Sequence, residues 1–259
     1  MQPDVSCQLE QPRAQGVGDA RKVRCGLCCM REFCEPDGVE RSDIEFLKAF
    51  VRKQHLTVAK GGELYRQGEP FHALFAVHTG SFKLVMRSAD GRERVTGFAF
   101  AGDLMGFGAI AAAQHADRAI ALEKSGACLL PWARVEEAAA QIPVVRRQMM
   151  RMLSREIRRG DEHHVLVGQA SAEARFAAFL LGVSARMAER GFDAARVRLS
   201  MSRPDMASFL GLNAATVSRL FTRFREQGLI RARGRRLELT QPEALAALAR
   251  QKNLVRAQN

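Results

Sequence analysis

The sequence lacks what would place it in or beyond a membrane. No apolar run approaches the roughly 18 residues that suggest a bilayer span. Its start, MQPDVSCQLEQPR, does not have the basic-then-apolar order of a secretory signal. Both absences predict a cytoplasmic protein with no membrane partner. There is no internal repeat, no low-complexity tract, no flavin or nucleotide fingerprint and no acid–base constellation, so the chain is not expected to be an enzyme. Cysteine is also sparse away from one spot. Of six cysteines, only Cys7 and Cys128 lie outside residues 25–34. Cytoplasmic thiols stay reduced, which argues against a disulfide framework and for ligands or catalysts.

The 259 residues leave room for two ordinary domains, and 47% apolar with 26% charged residues marks a globular chain. Its net charge of +12 calls for an acidic partner, most often nucleic acid. Residues 170–259 hold 16 Arg and Lys against 7 Asp and Glu, a local surplus of nine. A solvated basic surface would look the same by charge alone.

The dense stretch is RCGLCCMREFC, residues 24–34, holding Cys25, Cys28, Cys29 and Cys34. Three or four thiolates in a short loop can bind zinc, and Cys-x2-Cys also grips two irons of an iron–sulfur cluster. The same spacing allows a thiol redox site, although the βαβ context of thioredoxin-like proteins is missing. Spacing alone leaves zinc and a cluster open.

Residues 1–24 are polar and aperiodic and read as a lead-in, and a short helix is expected over Arg41–Val51. Nine of the 21 glycines then fall between Gly61 and Gly108. In SFKLVMR, Phe82, Leu84 and Met86 alternate with Lys83, Val85 and Arg87, the period of a half-buried strand. Ala89-Asp90-Gly91 is a turn and RERVTGFAF a further strand. Short strands with close turns predict a small antiparallel barrel or roll over about 50–133. From Val135 the period becomes helical, with Pro143 in a first turn or at a break. Val145, Met149, Met152, Leu153 and Ile157 form a narrow stripe on a helix reaching about Val167. Such a helix either pairs with its twin in a homodimer or packs on its own domain. His163 and His164 on it are expected to be solvated.

The helix at 172–190 is followed by RPDMASFLGLNAATVSRLFTRFREQGLI, residues 203–230. Pro204 suits a first helical turn, Gly211 a tight turn and Asn213 the cap of a second helix. Val217, Leu220, Phe221 and Phe224 make that helix's buried stripe, so Ala215, Ser218, Arg219 and Thr222 face outward. With Ala207, Gly211 and Val217 at the crossing, this is helix-turn-helix spacing. The exposed face predicts contacts to a double-stranded DNA operator from Ala215, Thr216, Ser218, Arg219, Thr222 and Arg223. Arg219 can donate twice to guanine. The basic run 229–239, with Arg233 and Arg235, reads as a wing for phosphates.

A roll, a long helix and a winged helix-turn-helix resemble the Crp/Fnr family of bacterial transcription regulators. GFAFAGDLMGFGAI (97–110), QMMRMLSREI (148–157) and LGLNAATVSRL (210–220) are similar to stretches of its oxygen-responsive FNR branch, as is Cys25-x2-Cys28-x5-Cys34 with a lone Cys128. The resemblance implies an α+β fold, with a β-roll like that of cyclic-nucleotide-binding domains. It implies a lead-in and cysteine loop over 1–40, a sensory β-roll over 41–134, a dimerisation helix over 135–168 and a DNA-binding domain over 169–259. It further implies a [4Fe–4S] cluster on Cys25, Cys28, Cys34 and Cys128, dismantled by oxygen, that controls homodimerisation and operator binding, with RNA polymerase as a partner. The alternatives are a regulator of the same family with a structural zinc site or another redox signal, and an iron–sulfur electron carrier. Three departures stand out. Ala215 replaces a Glu that would accept from cytosine N4, Cys29 adds a thiol beside Cys28, and Gly160 with Asp161 replaces an Asp in the dimer helix. The family's cyclic-AMP branch carries a Glu where this chain has Gly106-Phe107-Gly108, and Arg118 is followed by Ala119. No cyclic nucleotide is therefore expected.

Overall fold

The computed structural model describes residues 17–18, 54–169, 171–190 and 193–250. Cys7, Cys25, Cys28, Cys29, Cys34 and the helix expected over Arg41–Val51 lie outside the described residues. The chain forms two compact units: the first takes in described residues up to Gly91 with Phe98–Met152, the second Arg92–Gly97 with Leu153 onward.

The first unit is an antiparallel roll. Its strands are β1 (Val17–Gly18), β2 (Gln54–Val58), β3 (Glu63–Tyr65), β4 (Ala73–Thr79), β5 (Ser81–Arg87), the last three residues of β6 (Glu93–Phe100), β7 (Leu104–Met105), β8 (Arg118–Ala121) and β9 (Ser125–Pro131). One sheet runs β1-β2-β9-β4-β7 and the other β3-β8-β5-β6. The turn from β4 to β5 is made by Gly80 at φ +73, where any side chain would also collide with Ser125.

Period-two alternation sorts β4 and β9 into two buried faces. Ala73, Phe75, Val77 and Ala127 point into the roll with Val58, Leu64, Tyr65, Phe82 and Met105. Leu74, Ala76, Cys128 and Leu130 point the other way, onto the helices that follow. Both faces of these strands are covered, so they lack the half-polar alternation that marks an open sheet. The alternation expected in β5 holds only in part: Val85 is buried and Met86 is exposed. Pairing with β8 runs from Phe82 to Val85 and stops there, so Met86 and Arg87 project beyond it.

Helix α1 (Trp132–Gln141) follows β9 without a loop, and a single residue, Ile142, separates it from α2 (Pro143–Gln169). Pro143 both breaks the helical run and opens the next helix, because Ile142 is extended and Pro suits a first turn. Val135, Ala138 and Ala139 of α1 and Val145 and Met149 of α2 pack on the sheet face that carries Cys128.

The second unit contains α3 (Ala172–Ala188), β10 (Arg196–Arg198), α4 (Arg203–Leu210), α5 (Ala214–Glu226), β11 (Ile230–Arg233), β12 (Arg236–Leu239) and α6 (Pro242–Arg250). The strands order as β10-β12-β11. Phe176, Leu180, Met206, Leu210, Val217, Phe224, Ile230 and Leu245 form its fully buried centre. Among the described residues, no helix is long and apolar enough to cross a membrane.

Candidate nucleic-acid interface and metal centre

Local chemistry builds the α4–α5 pair. Ser202 and Asp205 form a reciprocal cap at the start of α4, with the Asp205 N–H donating to Ser202 Oγ at 3.2 Å and the Ser202 N–H to Asp205 Oδ2 at 2.9 Å. Gly211 ends α4 at φ +63, and Leu212 N–H closes the turn on the Ala207 carbonyl at 2.9 Å. Asn213 Oδ1 then accepts from Thr216 N–H at 2.7 Å and starts α5. The stripe Val217, Leu220, Phe221 and Phe224 is buried. Phe176 of α3 meets Phe221 edge-on, and the Arg203 guanidinium lies 3.1 Å above the other ring of that contact, Phe221.

Ala215, Ser218, Arg219 and Thr222 are therefore exposed together on the opposite face of α5. Ser218 Oγ donates to the Ala214 carbonyl at 2.9 Å and Arg219 Nη2 to Thr216 Oγ1 at 3.3 Å, so both side chains lie along the helix. The first turn of α5 has no carboxylate, which leaves its positive helix end unopposed. Arg223 is exposed but ion-paired with Glu173 of α3. Arg233 and Arg235 are exposed in the β11–β12 hairpin, where Gly234 takes φ +61. The third strand, β10, has no counterpart in the sequence reading. The Ser202-x-x-Asp205 box was a readable signal for the start of α4.

The expected dimer stripe divides. Val145 and Met149 are only 2% and 8% exposed within the single chain, because they pack on the roll's own sheet. Met152 and Leu153 are half-buried, and Ile157 is 68% exposed. The open apolar positions of α2 are Met150, Ile157 and Val165, spaced seven and eight residues apart. His163, expected in solvent, instead stacks on Phe209 and bonds its carbonyl. His164 is exposed.

Cys128 sits mid-strand in β9, 3% exposed. Its direct cross-strand partner is His55 of β2, and its Sγ lies 3.4 Å from His55 Nδ1. The other proposed ligands lie outside the described residues, but their tether can be bounded. Gly18 pairs with Thr57 of β2, the strand next to β9. Two strand spacings of about 4.8 Å separate β1 from β9. Seven residues reach up to about 23 Å, so the chain from Gly18 to Cys25 is long enough to meet Cys128. Cys128 on β9 and the three cysteines expected to join it make four thiolates, the donor set that a [4Fe–4S] cluster takes.

Within the roll, Tyr65 Oη donates to Asp117 Oδ1 at 3.1 Å and the Tyr65 ring stacks on His115 at 4.1 Å. Burial, and then the neighbouring Asp117 carboxylate, push the Tyr65 phenol well up, and burial raises Asp117 and lowers His115. Nδ1 of buried His115 has no hydrogen-bond partner. Arg118 is held by Glu63 at 3.0 Å.

Residues 174–248 match the Crp-like helix-turn-helix domain and residues 55–141 the cyclic nucleotide-binding domain. The chain is 38% identical to the transcriptional activator protein Anr of Pseudomonas protegens, over 88% of this chain and 93% of that protein. It is 34% identical to the fumarate and nitrate reduction regulatory protein of Escherichia coli K12, over 92% of this chain and 94% of the relative. The structure of FixK2 from Bradyrhizobium japonicum matches with a TM-score of 0.70 at 29% identity, covering 76% of this chain and 96% of that one.

Proposed function

The chain belongs to the Crp/Fnr family of transcription regulators, and from that premise we propose that it reads oxygen through a [4Fe–4S] cluster and switches operator binding accordingly. It is a DNA-binding regulator with the family's roll and helix-turn-helix. The proposed ligands are Cys25, Cys28, Cys34 and Cys128. The cluster supplies iron that oxygen can attack, and everything else belongs to the chain.

One observation carries the reading. Cys128 lies in the same buried cluster as Val145 and Met149, the first turns of the long helix α2. A change in how the Cys128 sulfur is held therefore acts directly on the packing that seats this helix. The exposed positions of that helix, Met150, Ile157 and Val165, are the surface we assign to the partner copy in a homodimer. Two recognition helices then read two half-sites, with Ser218 and Arg219 on base edges and Arg233 and Arg235 on phosphates. Ala215 offers no acceptor to cytosine, so one base pair is left unread by a side chain.

The Arg118–Glu63 ion pair supports a roll that does not read cyclic nucleotides, since the Arg118 guanidinium is already engaged by a carboxylate. The exposed β5–β6 turn, Arg87–Arg94, is the surface we assign to RNA polymerase, in the cytoplasm. Operator binding by wild type and Cys128→Ser, compared without oxygen and after air, tests the proposal. Wild type should bind only without oxygen and the variant weakly in both. A variant that still responds to air contradicts it.

A further inference from the structure

We propose that His55 is a positioning residue for the Cys128 sulfur, donating its Nδ1–H to that sulfur when Cys128 is a metal-bound thiolate. This rests on Cys128 being a ligand. The register of β2 against β9 puts His55 directly opposite Cys128, and its Nδ1 is 3.4 Å from the sulfur. A thiol could donate or accept at that distance. A bound thiolate has no proton and can only accept, so the bond then requires the tautomer with hydrogen on Nδ1.

A second observation marks the same spot. His78 of β4 sets its ring edge-on to His55, with centroids 5.7 Å apart and planes at 77°. Its Nε2 is buried without a hydrogen-bond partner. The neighbouring positions on this sheet face are Leu74, Ala76 and Leu130. Both rings are half-buried on a sheet face that also carries these apolar side chains. His78 packs against the His55 ring and so limits how far that ring turns from Cys128. Hydrogen bonds to ligating sulfurs raise a cluster's reduction potential and orient the ligand. His55 thus makes the cluster harder to oxidise and sets how fast air removes it.

The test uses the full chain purified without oxygen, as wild type, His55→Phe and His55→Gln. Iron and sulfide contents, the cluster's reduction potential and the rate of colour loss at fixed dissolved oxygen are measured. His55→Phe keeps ring bulk but has no donor. It should show a more negative potential and lose its cluster about tenfold faster, the lower end for outer-shell partners. His55→Gln retains an N–H and should recover toward wild type, which loss of packing alone does not explain. A fully loaded His55→Phe with wild-type potential and decay overturns the proposal. Wild type that carries zinc and no sulfide overturns the cluster reading itself, and this proposal with it.

Discussion

His163 lies flat against Phe209, with ring planes 2° apart and centroids 4.1 Å apart, and its Nε2 is 2.8 Å from the Phe209 carbonyl oxygen. A carbonyl only accepts, so Nε2 carries the proton and donates. The contact fastens the last turns of α2 to α4, the first helix of the helix-turn-helix.

Replacing His163 by Phe keeps the stack and removes the hydrogen bond. It should cost about 1 kcal/mol, read by chemical denaturation at pH 7.5. Burial holds His163 below its ordinary value of 6.5, opposed by the Phe209 carbonyl and reinforced by Arg94 and His164. The folded protein therefore favours neutral His163. That contribution is complete above about pH 6.5 and is lost as pH falls through the lowered folded value. The gap between wild type and His163→Phe should narrow from pH 7.5 to pH 5.5. A constant gap contradicts this.

His115 has the same sign, with burial as its main cause. Its Nδ1 makes no hydrogen bond. His115→Phe removes an unsatisfied polar atom while keeping a ring against Tyr65 and Phe71. The variant should match or exceed wild-type stability by about 1 kcal/mol at pH 6 and lose less on acidification. Destabilisation at pH 6 would mean that the imidazole makes a contact this packing does not contain.

Arg219 is exposed and outside the core, so Arg219→Ala should leave the unfolding midpoint unchanged. Operator affinity should fall by about 1–3 kcal/mol, or roughly 5- to 150-fold, in a titration at fixed salt. Normal affinity contradicts the assigned recognition face.

The two classes of apolar residue on α2 should separate experimentally. Met149→Ala opens a hole under the roll and should cost about 2–5 kcal/mol of stability. Ile157→Glu should leave the single chain's stability within about 0.5 kcal/mol while weakening the dimer, read by sedimentation at several concentrations. Wild-type dimerisation in Ile157→Glu would move the partner surface elsewhere.

These contrasts show how far the sequence can be read. The α4–α5 pair is legible because its determinants are local: Pro204, Gly211 and Asn213 set the ends, and the Val217–Phe224 spacing sets the buried face. The long helix is legible in extent, since Pro143 and the helical period mark it. Which of its apolar residues the chain itself covers is not legible, because a period finds a stripe without saying what lies over it. Val145 and Met149 are covered by the roll, Met152 and Leu153 are half-buried, and Ile157 stays exposed. The Cys128 surroundings are less legible still. His55 is 73 residues away along the chain and is brought opposite Cys128 only by strand register. His163 is similar, since its partner Phe209 lies 46 residues further on.

The most direct measurement is the absorption spectrum, with iron and acid-labile sulfide counts, of protein purified without oxygen and then exposed to air. A chain that holds a [4Fe–4S] cluster on Cys25, Cys28, Cys34 and Cys128 is brown, contains about four iron and four sulfide, and bleaches in air. Colourless protein with one zinc and no sulfide would contradict it.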